Sequence, residues 1–274
     1  MIRCAPPVRY FETPPSPDLA PYVHRLWELD GAGDALAEPI FPDGRIEIVV
    51  HLGDRPVMDG AITPQPDVLV VGQMTTALRL RPVKRVHAVG VRFTPTGARA
   101  WLTVPVHELT GRVYPADEVS RGGAARLRAA VHGGATPRER MKRIESVLRT
   151  TLRPALRPSR AIEHAVCLTL DRAGLVTVDA LARACALSAR HLERQYLDDV
   201  GLSPKVLART VRFQRALRHL QRGTPAANVA AACGFADQPH LAREFRRFAG
   251  VAARDVDLAH VVFLQDGAAP AAAH

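Results

Sequence analysis

The strongest constraint on the fold is a short internal repeat in the second half of the chain. Residues 181–187 align with residues 229–235 at an offset of 48. After one inserted residue, Ala236, residues 188–196 align with residues 237–245 at an offset of 49. Because such self-similarity marks one supersecondary unit that is used twice, the sequence predicts two copies of the same small unit.

Each copy has the pattern of two helices joined by a tight turn. The first helix is short and rich in alanine, and Ser188 and Asp237 are predicted N-cap residues of the second helix. Apolar residues four positions apart give the second helix a buried back: these are Leu192 with Tyr196, and Leu241 with Phe245. A buried back, a tight turn and polar side chains on the first exposed turns are typical of a helix-turn-helix that reads DNA.

A longer helix is predicted between the two copies. Ser203 is its N-cap, Pro204 its first residue, and it runs to about Gln221 before the break at Gly223. Basic residues cover much of its surface: Lys205, Arg209, Arg212, Arg215, Arg218 and Arg222. If this helix holds the copies about 34 Å apart, one turn of DNA, both second helices can enter successive major grooves.

Charge separates the two halves of the chain. The formal net charge is +10, but residues 1–118 carry a net charge of −2 and residues 119–157 one of +8. Residues 158–258 carry a net charge of +5. High arginine usage across the chain does not explain this reversal of sign, which favours a polyanion partner for the second half.

The C-terminal motifs resemble the DNA-binding domain of AraC/XylS-type regulators. The resemblance is carried by residues 187–194, by the run Gly201-Leu202-Ser203-Pro204, by Arg212 and by residues 229–250 with their Gly-Phe-Ala-Asp-Gln core. It implies two helix-turn-helix units on a long helix and double-stranded promoter or operator DNA as partner. A small-molecule effector of unknown identity, a homodimer and RNA polymerase are the other candidate partners. The family often has glycine where Ala186 stands, so the first turn is expected to be strained.

Helix position selects the candidate DNA-contacting residues. Arg190, Arg194 and Arg243 suit guanine, Glu193 suits cytosine and Gln238 suits adenine. Candidates for phosphate contacts or for positioning are Ser188, His191, Lys205, Arg209, Asp237 and His240. For each arginine, a phosphate contact or a surface ion pair is the alternative.

The N-terminal region is predicted to be a strand-rich domain, so that the whole chain is of the α+β class. Residues 45–52 alternate apolar and polar side chains, as in a half-buried strand. Further strands are predicted at residues 67–71, 77–81 and 86–93, while residues 20–29 and 96–102 fit a helix or a strand edge. The spacing favours a small antiparallel sheet or barrel with one or two helices.

A second, less specific resemblance covers residues 20–118, which are similar to an uncharacterised domain that often precedes such regulators. Three short segments carry it: residues 41–44, 71–74 and 90–93. It implies a sensing or oligomerising role. Candidate residues for a ligand pocket are Trp27, Arg45, Glu47, His51 and Trp101, although core or surface roles fit each of them equally well.

These patterns divide the chain into four parts. The N-terminal domain spans residues 1–118, a basic helical connector residues 119–157, the double helix-turn-helix domain residues 158–258, and a disordered tail residues 259–274. Thr136 and Pro137 are predicted to begin the connector helix that runs to Leu152.

Several functional classes are not indicated by the sequence. No catalytic motif, metal-ligand spacing or cofactor loop is present, so neither enzyme activity nor a cofactor is expected. The four cysteines lack close spacing and are expected to be reduced, mostly buried thiols of a cytoplasmic protein. No apolar run is long enough for a membrane span. A DNA-repair enzyme fused to a DNA-binding module and a non-specific architectural protein remain the alternatives.

Overall fold

The computed structural model describes residues 9–32 and 39–256. Within them the strands are β1 (Arg9–Thr13), β2 (Val23–Ala32), β3 (Glu47–His51), β4 (Val57–Met58), β5 (Val68–Val71), β6 (Leu80–Arg81), β7 (Arg85–Phe93) and β8 (Val113–Pro115). Six of these form an antiparallel sheet in the order β1-β2-β7-β3-β5-β8, and β4 pairs with β6. The predicted α+β class with an antiparallel N-terminal sheet is confirmed.

The described helices follow the strands in the chain. They are α1 (Ala116–Val119), α2 (Gly123–His132), α3 (Pro137–Thr151), α4 (Arg160–Asp171), α5 (Val178–Ala184), α6 (Ala189–Val200), α7 (Pro204–Gln221), α8 (Ala226–Ala232) and α9 (Gln238–Ala249). Short 3-10 helices lie at Gly97–Ala100, Val106–Leu109, Pro154–Leu156 and Ala253–Asp255.

The sheet is buried on both faces. Ile48 and Val50 of β3 belong to a core that also contains Leu127 of α2 and Ile144 of α3. Val49 lies on the opposite face and is also buried, at 9% exposure. The predicted strand is confirmed at Glu47–His51, but it is buried on both faces and not on one, because the alternation identifies the two faces without revealing that each one is covered.

The basic connector is helical but packs as part of the N-terminal unit. Thr136 Oγ1 accepts a hydrogen bond from the Glu139 backbone N–H, and the Glu139 side chain reaches back to the Thr136 backbone, which completes a capping box. Met141, Ile144 and Leu148 of α3 are buried against the sheet. Three exposed arginines and Lys142 occupy the outer side of this helix.

The helical half has its own cores. The first joins α4, α5, α6 and the beginning of α7 through Ile162, Leu181, Leu192 and Tyr196. Two smaller clusters surround α9, one with Phe213, Phe245 and Phe248 and the other with Val229, Phe235 and Leu241. Each helix-turn-helix unit therefore has a hydrophobic centre, as the repeat predicted.

The remaining predictions had mixed outcomes. Residues 20–29 contribute to β2, which lies inside the sheet between β1 and β7, and Gly97–Ala100 is a 3-10 helix. Cys233 is buried and Cys185 half-buried, but Cys167 is exposed, contrary to expectation. Cys4 and the predicted tail at residues 259–274 lie outside the described residues. None of the described helices has the length and apolarity needed to cross a membrane.

Candidate DNA-binding surface

Helix α6 has the geometry of a DNA-reading helix. Ser188 Oγ accepts the His191 backbone N–H at 3.2 Å and caps the helix. Leu192 and Tyr196 are fully buried, whereas Arg190, Glu193 and Arg194 are exposed. The three predicted base-reading residues therefore lie on the solvent side of the first turns.

Helix α9 repeats this arrangement in the second unit. Asp237 Oδ1 accepts the His240 backbone N–H at 2.6 Å, and Leu241 and Phe245 are buried. Gln238 and Arg243 are exposed. Arg246, three residues after Arg243, is also exposed; its helical spacing from Arg243 was the signal that could have identified it in the sequence.

The two turns differ in backbone strain. Ala186 has a φ of +53°, and Gly234 occupies the corresponding position with a φ of +69°. The left-handed region is unfavourable for any residue with a Cβ atom. The turn of the first unit is therefore strained, as expected from the alanine at this position.

Helix α7 joins the two units. Ser203 Oγ accepts the Val206 backbone N–H at 3.3 Å, and Pro204 is the first helical residue, as predicted. With 18 residues, the helix is about 27 Å long. Arg212 of α7 donates to the Gly234 carbonyl at 3.3 Å and lies over the Phe235 ring, so the second turn is attached directly to the connecting helix.

Arg209, a candidate for phosphate contact or for positioning, is held in an ion pair within the helical half. Its guanidinium donates to both carboxylate oxygens of Glu244 on α9, at 2.7 and 2.5 Å, and the side chain is only 16% exposed. An arginine held in a partly buried bidentate pair is not directed at solvent or phosphate. Arg209 instead fixes α9 against α7.

The other predicted positioning residues fall into two groups. Ser188 and Asp237 use their side-chain oxygens as helix caps. Lys205 is exposed at the start of α7, and His191 and His240 are half-buried beside the two caps. The Nδ1 atom of His191 lies 3.2 Å from Arg194 Nη2, and the Nδ1 atom of His240 accepts the Ala236 N–H at 3.3 Å.

The N-terminal unit contacts the C-terminal end of α6. Thr110 Oγ1 donates to the Gly201 carbonyl at 2.6 Å. Asp199 lies 3.9 Å from Arg99, and the Nδ1 atom of His107 is 3.3 Å from Asp198. Burial raises the pKa of Asp199 to about 6, against the opposing effect of Arg99.

A second contact involves the connecting strap, defined here as residues 40–45. The Phe41 ring packs edge-on against Phe213 of α7 and Phe245 of α9. Gln214 Nε2 donates to the Pro42 carbonyl at 2.6 Å. The connecting helix α7 and the second helix of the second unit, α9, are thus in direct contact with the N-terminal unit.

The connecting strap also covers a cavity on the face of the sheet opposite to α2 and α3. Trp27, Arg45 and Glu47 line this cavity, so three of the five predicted pocket residues come together. The other two do not line it. His51 bonds to Gln65 at 3.0 Å, and Trp101 packs near Phe93 in the core on the opposite face of the sheet. Trp101 was misassigned because the sequence does not reveal which side of the sheet a distant aromatic residue joins.

The charged groups beside this cavity are paired. Arg92 donates to Glu47 and lies 3.7 Å from Asp43, while Arg45 lies 3.6 Å from Asp43. Burial raises the pKa of the Glu47 carboxyl above its usual value, against the opposing charge of Arg92. In the described part of the chain, no three His, Cys, Asp or Glu side chains are grouped to hold a metal ion.

Two family models match separate parts of the chain. A family described as a helix-turn-helix domain matches residues 181–257, which contain both units. The C-terminal part of the chain is thus similar to AraC-type helix-turn-helix domains. A family described as a domain of unknown function (DUF6597) matches residues 11–115.

Curated relatives match the chain over about a third of its length. The HTH-type transcriptional activator RhaS of Escherichia coli strain SE11 is 37% identical over 92 residues, which are 33% of this chain and 33% of RhaS. RhaS of Escherichia coli O9:H4 strain HS gives the same identity and coverage. The match thus spans about a third of the length of these relatives.

Solved structures of ToxT from Vibrio cholerae match over most of the chain at low identity. One from strain O395 has a TM-score of 0.46 and 10% identity, and covers 93% of this chain and 98% of ToxT. Another, in the P21 form, has a TM-score of 0.47 and 9% identity, with coverages of 91% and 96%.

Proposed function

We propose that the protein is a sequence-specific DNA-binding transcription regulator. One observation carries the proposal: two helix-turn-helix units, each with a capped reading helix, a buried back and exposed arginines on the outer side, are held on one connecting helix. This arrangement presents two sets of base-reading side chains to one duplex. RhaS, which is similar to about a third of this chain, is a transcriptional activator, and this supports the same class of function.

The reading helices have distinct tasks in this proposal. Arg190, Arg194 and Arg243 form bidentate hydrogen bonds with guanine, Glu193 accepts from cytosine, and Gln238 pairs with adenine. Lys205, His191 and His240 contact phosphates near the helix N-termini, where backbone N–H groups also attract anions. Ser188 and Asp237 orient those termini by capping them. Arg209 positions α9.

The N-terminal unit is the proposed regulatory part. It contacts α6 near Gly201 and contacts α7 and α9 through Phe41, so its conformation bears on both reading helices. We infer that it responds to a small molecule and that the protein acts without catalysing a reaction. A role at promoter DNA requires the protein in the cytoplasm. A second copy of the chain and RNA polymerase are the further partners that this role calls for.

The test is selection of binding sites from random duplex DNA by the full-length protein at two salt concentrations. We expect an enriched motif with two blocks about 10 base pairs apart, because each reading helix then occupies its own major groove. In Arg243→Ala, the preference within one block should relax while the other block is retained. In Arg194→Ala, the opposite block should be affected.

Two outcomes would change the role assigned to the second unit or to the whole protein. Enrichment of one block that is insensitive to Arg243→Ala would mean that the second unit positions the protein without reading bases. Binding without any motif, fading as salt increases, would overturn sequence-specific regulation and favour a non-specific architectural protein. A doubled motif would add evidence for a dimer on DNA.

A further inference from the structure

The cavity beneath the connecting strap has two chemically different regions. Its volume is about 90 Å³. Val49, Leu69 and Ala88 of the sheet form an apolar floor, while Phe41 and Arg45 belong to the strap that covers it. An apolar site with a few polar groups at one side is the usual form of a small-molecule site.

Two residues that line this cavity carry buried hydrogen-bond donors that have no partner within the described residues. These donors are the indole N–H of Trp27, a residue only 5% exposed, and the Nε–H of Arg45. Buried indole and guanidinium N–H groups normally have acceptors. The other tryptophan shows the normal situation, since Trp101 Nε1 donates to Thr151 Oγ1 at 3.2 Å.

The position of Trp27 depends on the sheet beneath it. Gly90 is its neighbour on β7, and a Cβ atom at position 90 would lie 2.1 Å from the indole ring. Glycine therefore lets the indole lie flat against the sheet. The ring forms part of the cavity wall with its N–H unpaired.

The charges around the cavity select against a charged ligand. Asp43 and Glu47 balance Arg45 and Arg92, and the pairs lie within 3.7 Å of one another. A buried anion or cation would add an unbalanced charge to this neutral cluster, at a large desolvation cost. A neutral acceptor such as a carbonyl oxygen satisfies the free donors without that cost.

We propose that this cavity binds a small neutral molecule with an apolar body and one carbonyl- or ether-type oxygen. The oxygen accepts hydrogen bonds from Trp27 Nε1 and Arg45 Nε. The cavity is smaller than the roughly 150 Å³ that admits benzene, which limits the ligand to about four to six non-hydrogen atoms unless the strap moves. This inference deepens the proposed function, on which it rests in treating the ligand as the effector.

The test uses the two tryptophan indole N–H resonances of the full-length protein, assigned with Trp27→Phe and Trp101→Phe. The probes are 2-butanone, its hydrocarbon analogue 2-methyl-1-butene, and propanoate as an anion of similar size. Titrations are run at mildly alkaline pH because burial raises the pKa of Glu47.

We expect 2-butanone to move the Trp27 indole resonance downfield with saturation and to leave the Trp101 resonance in place. The hydrocarbon should bind at least tenfold more weakly, and propanoate should give no saturable shift. Ala88→Val, which narrows the cavity floor, should abolish the response to 2-butanone. Trp101→Phe should retain it.

Three results would overturn the inference. These are a Trp27 resonance that does not respond to 2-butanone up to its solubility limit, an equal response of both indoles, and tighter binding of propanoate than of 2-butanone. DNA-site selection is measured on the same preparation. A Trp27 response without DNA selection would leave the site standing and remove the proposed function, whereas the reverse result would remove only the site.

Discussion

The Arg209 guanidinium donates to both carboxylate oxygens of Glu244 and joins the N-terminal third of α7 to the middle of α9. Both side chains are largely buried, with 16% and 12% exposure. A bidentate arginine–carboxylate pair fixes orientation as well as distance. The second reading helix is therefore held at a defined angle to the connecting helix by polar contacts as well as by the phenylalanine cluster.

Arg209→Ala should lower the free energy of unfolding by about 2–3 kcal/mol, because it leaves the Glu244 carboxylate partly buried without its partner. Urea denaturation of the full-length protein measures this loss. The double variant Arg209→Met with Glu244→Leu is the control and should recover much of it. An Arg209→Ala variant as stable as wild type would show that the pair contributes no net stability.

The Arg209–Glu244 pair also makes the stability of the folded protein depend on pH. Burial alone would raise the pKa of Glu244, but the hydrogen bonds from Arg209 lower it overall. A lowered carboxyl pKa contributes stability above the ordinary glutamate range, and this contribution is lost as the pH falls through the folded-state pKa. The stability gap between wild type and Arg209→Ala, measured by urea denaturation, should therefore narrow in acid.

Asp199→Asn should stabilise the protein near neutral pH. With its pKa raised to about 6, Asp199 disfavours the folded state once it is ionised. Stability should therefore fall as the pH rises from about 4 to about 6, since the unfolded chain releases its proton first. The variant should exceed wild type by about 1–3 kcal/mol above this window and match it near pH 3.

The exposed neighbour Asp198 provides the control for that measurement. Asp198→Asn should change stability by less than about 0.5 kcal/mol across the same pH range. Urea denaturation at each pH compares the variants. If Asp199→Asn were less stable than wild type at neutral pH, the attraction of Arg99 would outweigh the cost of burial.

Ala186→Gly should stabilise the first helix-turn-helix unit by about 0.5–1 kcal/mol. Glycine removes the strain of the left-handed backbone, although it gains freedom in the unfolded chain. The reverse change, Gly234→Ala, places a Cβ atom 2.3 Å from Leu175 Cδ2. It should destabilise the second unit by more than about 1 kcal/mol, because the backbone penalty of the left-handed region adds to the cost of this steric clash.

The variant Gly223→Ala separates the backbone penalty from the steric cost. Gly223 has a φ of +75°, and a Cβ atom there would meet no atom within 4 Å. Thermal or urea unfolding should place its loss of stability below that of Gly234→Ala. Equal losses in the two variants would mean that Leu175 moves aside freely.

Arg194→Ala and Lys205→Ala should weaken DNA binding in different ways. Loss of a base-reading arginine should cost about 1–3 kcal/mol on the preferred site and relax preference at one base pair. Loss of a phosphate-contacting lysine should weaken binding to all DNA sequences alike. It should also reduce the slope of the logarithm of affinity against the logarithm of salt concentration by about 1. Fluorescence titrations on matched and mismatched duplexes distinguish the two. An equal loss on all sequences for Arg194→Ala would reassign Arg194 to a phosphate.

The helical half was predictable because its signals are local. Ser188, Ser203 and Asp237 are caps within three residues of their partners, so the starts of α6, α7 and α9 follow from short stretches of sequence. The repeat then predicts which helices pack together in each helix-turn-helix unit. The strained turn at Ala186 was expected from the family resemblance, since the family often has glycine at this position.

The features that the sequence did not predict depend on contacts between residues that are far apart in the chain. The apolar stripe of α3, with Ile144 and Leu148, shows that the helix packs on something but not that the partner is the sheet. The pairing of Arg209 with Glu244 spans 35 residues. Trp27 lines the cavity and Trp101 does not because the chain path, which no local pattern specifies, places them on opposite faces of the sheet.

The connecting strap is a wall shared by the cavity and the second helix-turn-helix unit. Phe41 lines the cavity and also touches Phe213 and Phe245. Occupancy of the cavity and engagement of α9 with DNA are therefore joined by thermodynamic linkage wherever either one displaces Phe41. Linkage is reciprocal: the factor by which a ligand changes affinity for an operator is the factor by which that operator changes affinity for the ligand. Under the proposed function, an operator sequence then sets the ligand concentration at which its own promoter responds.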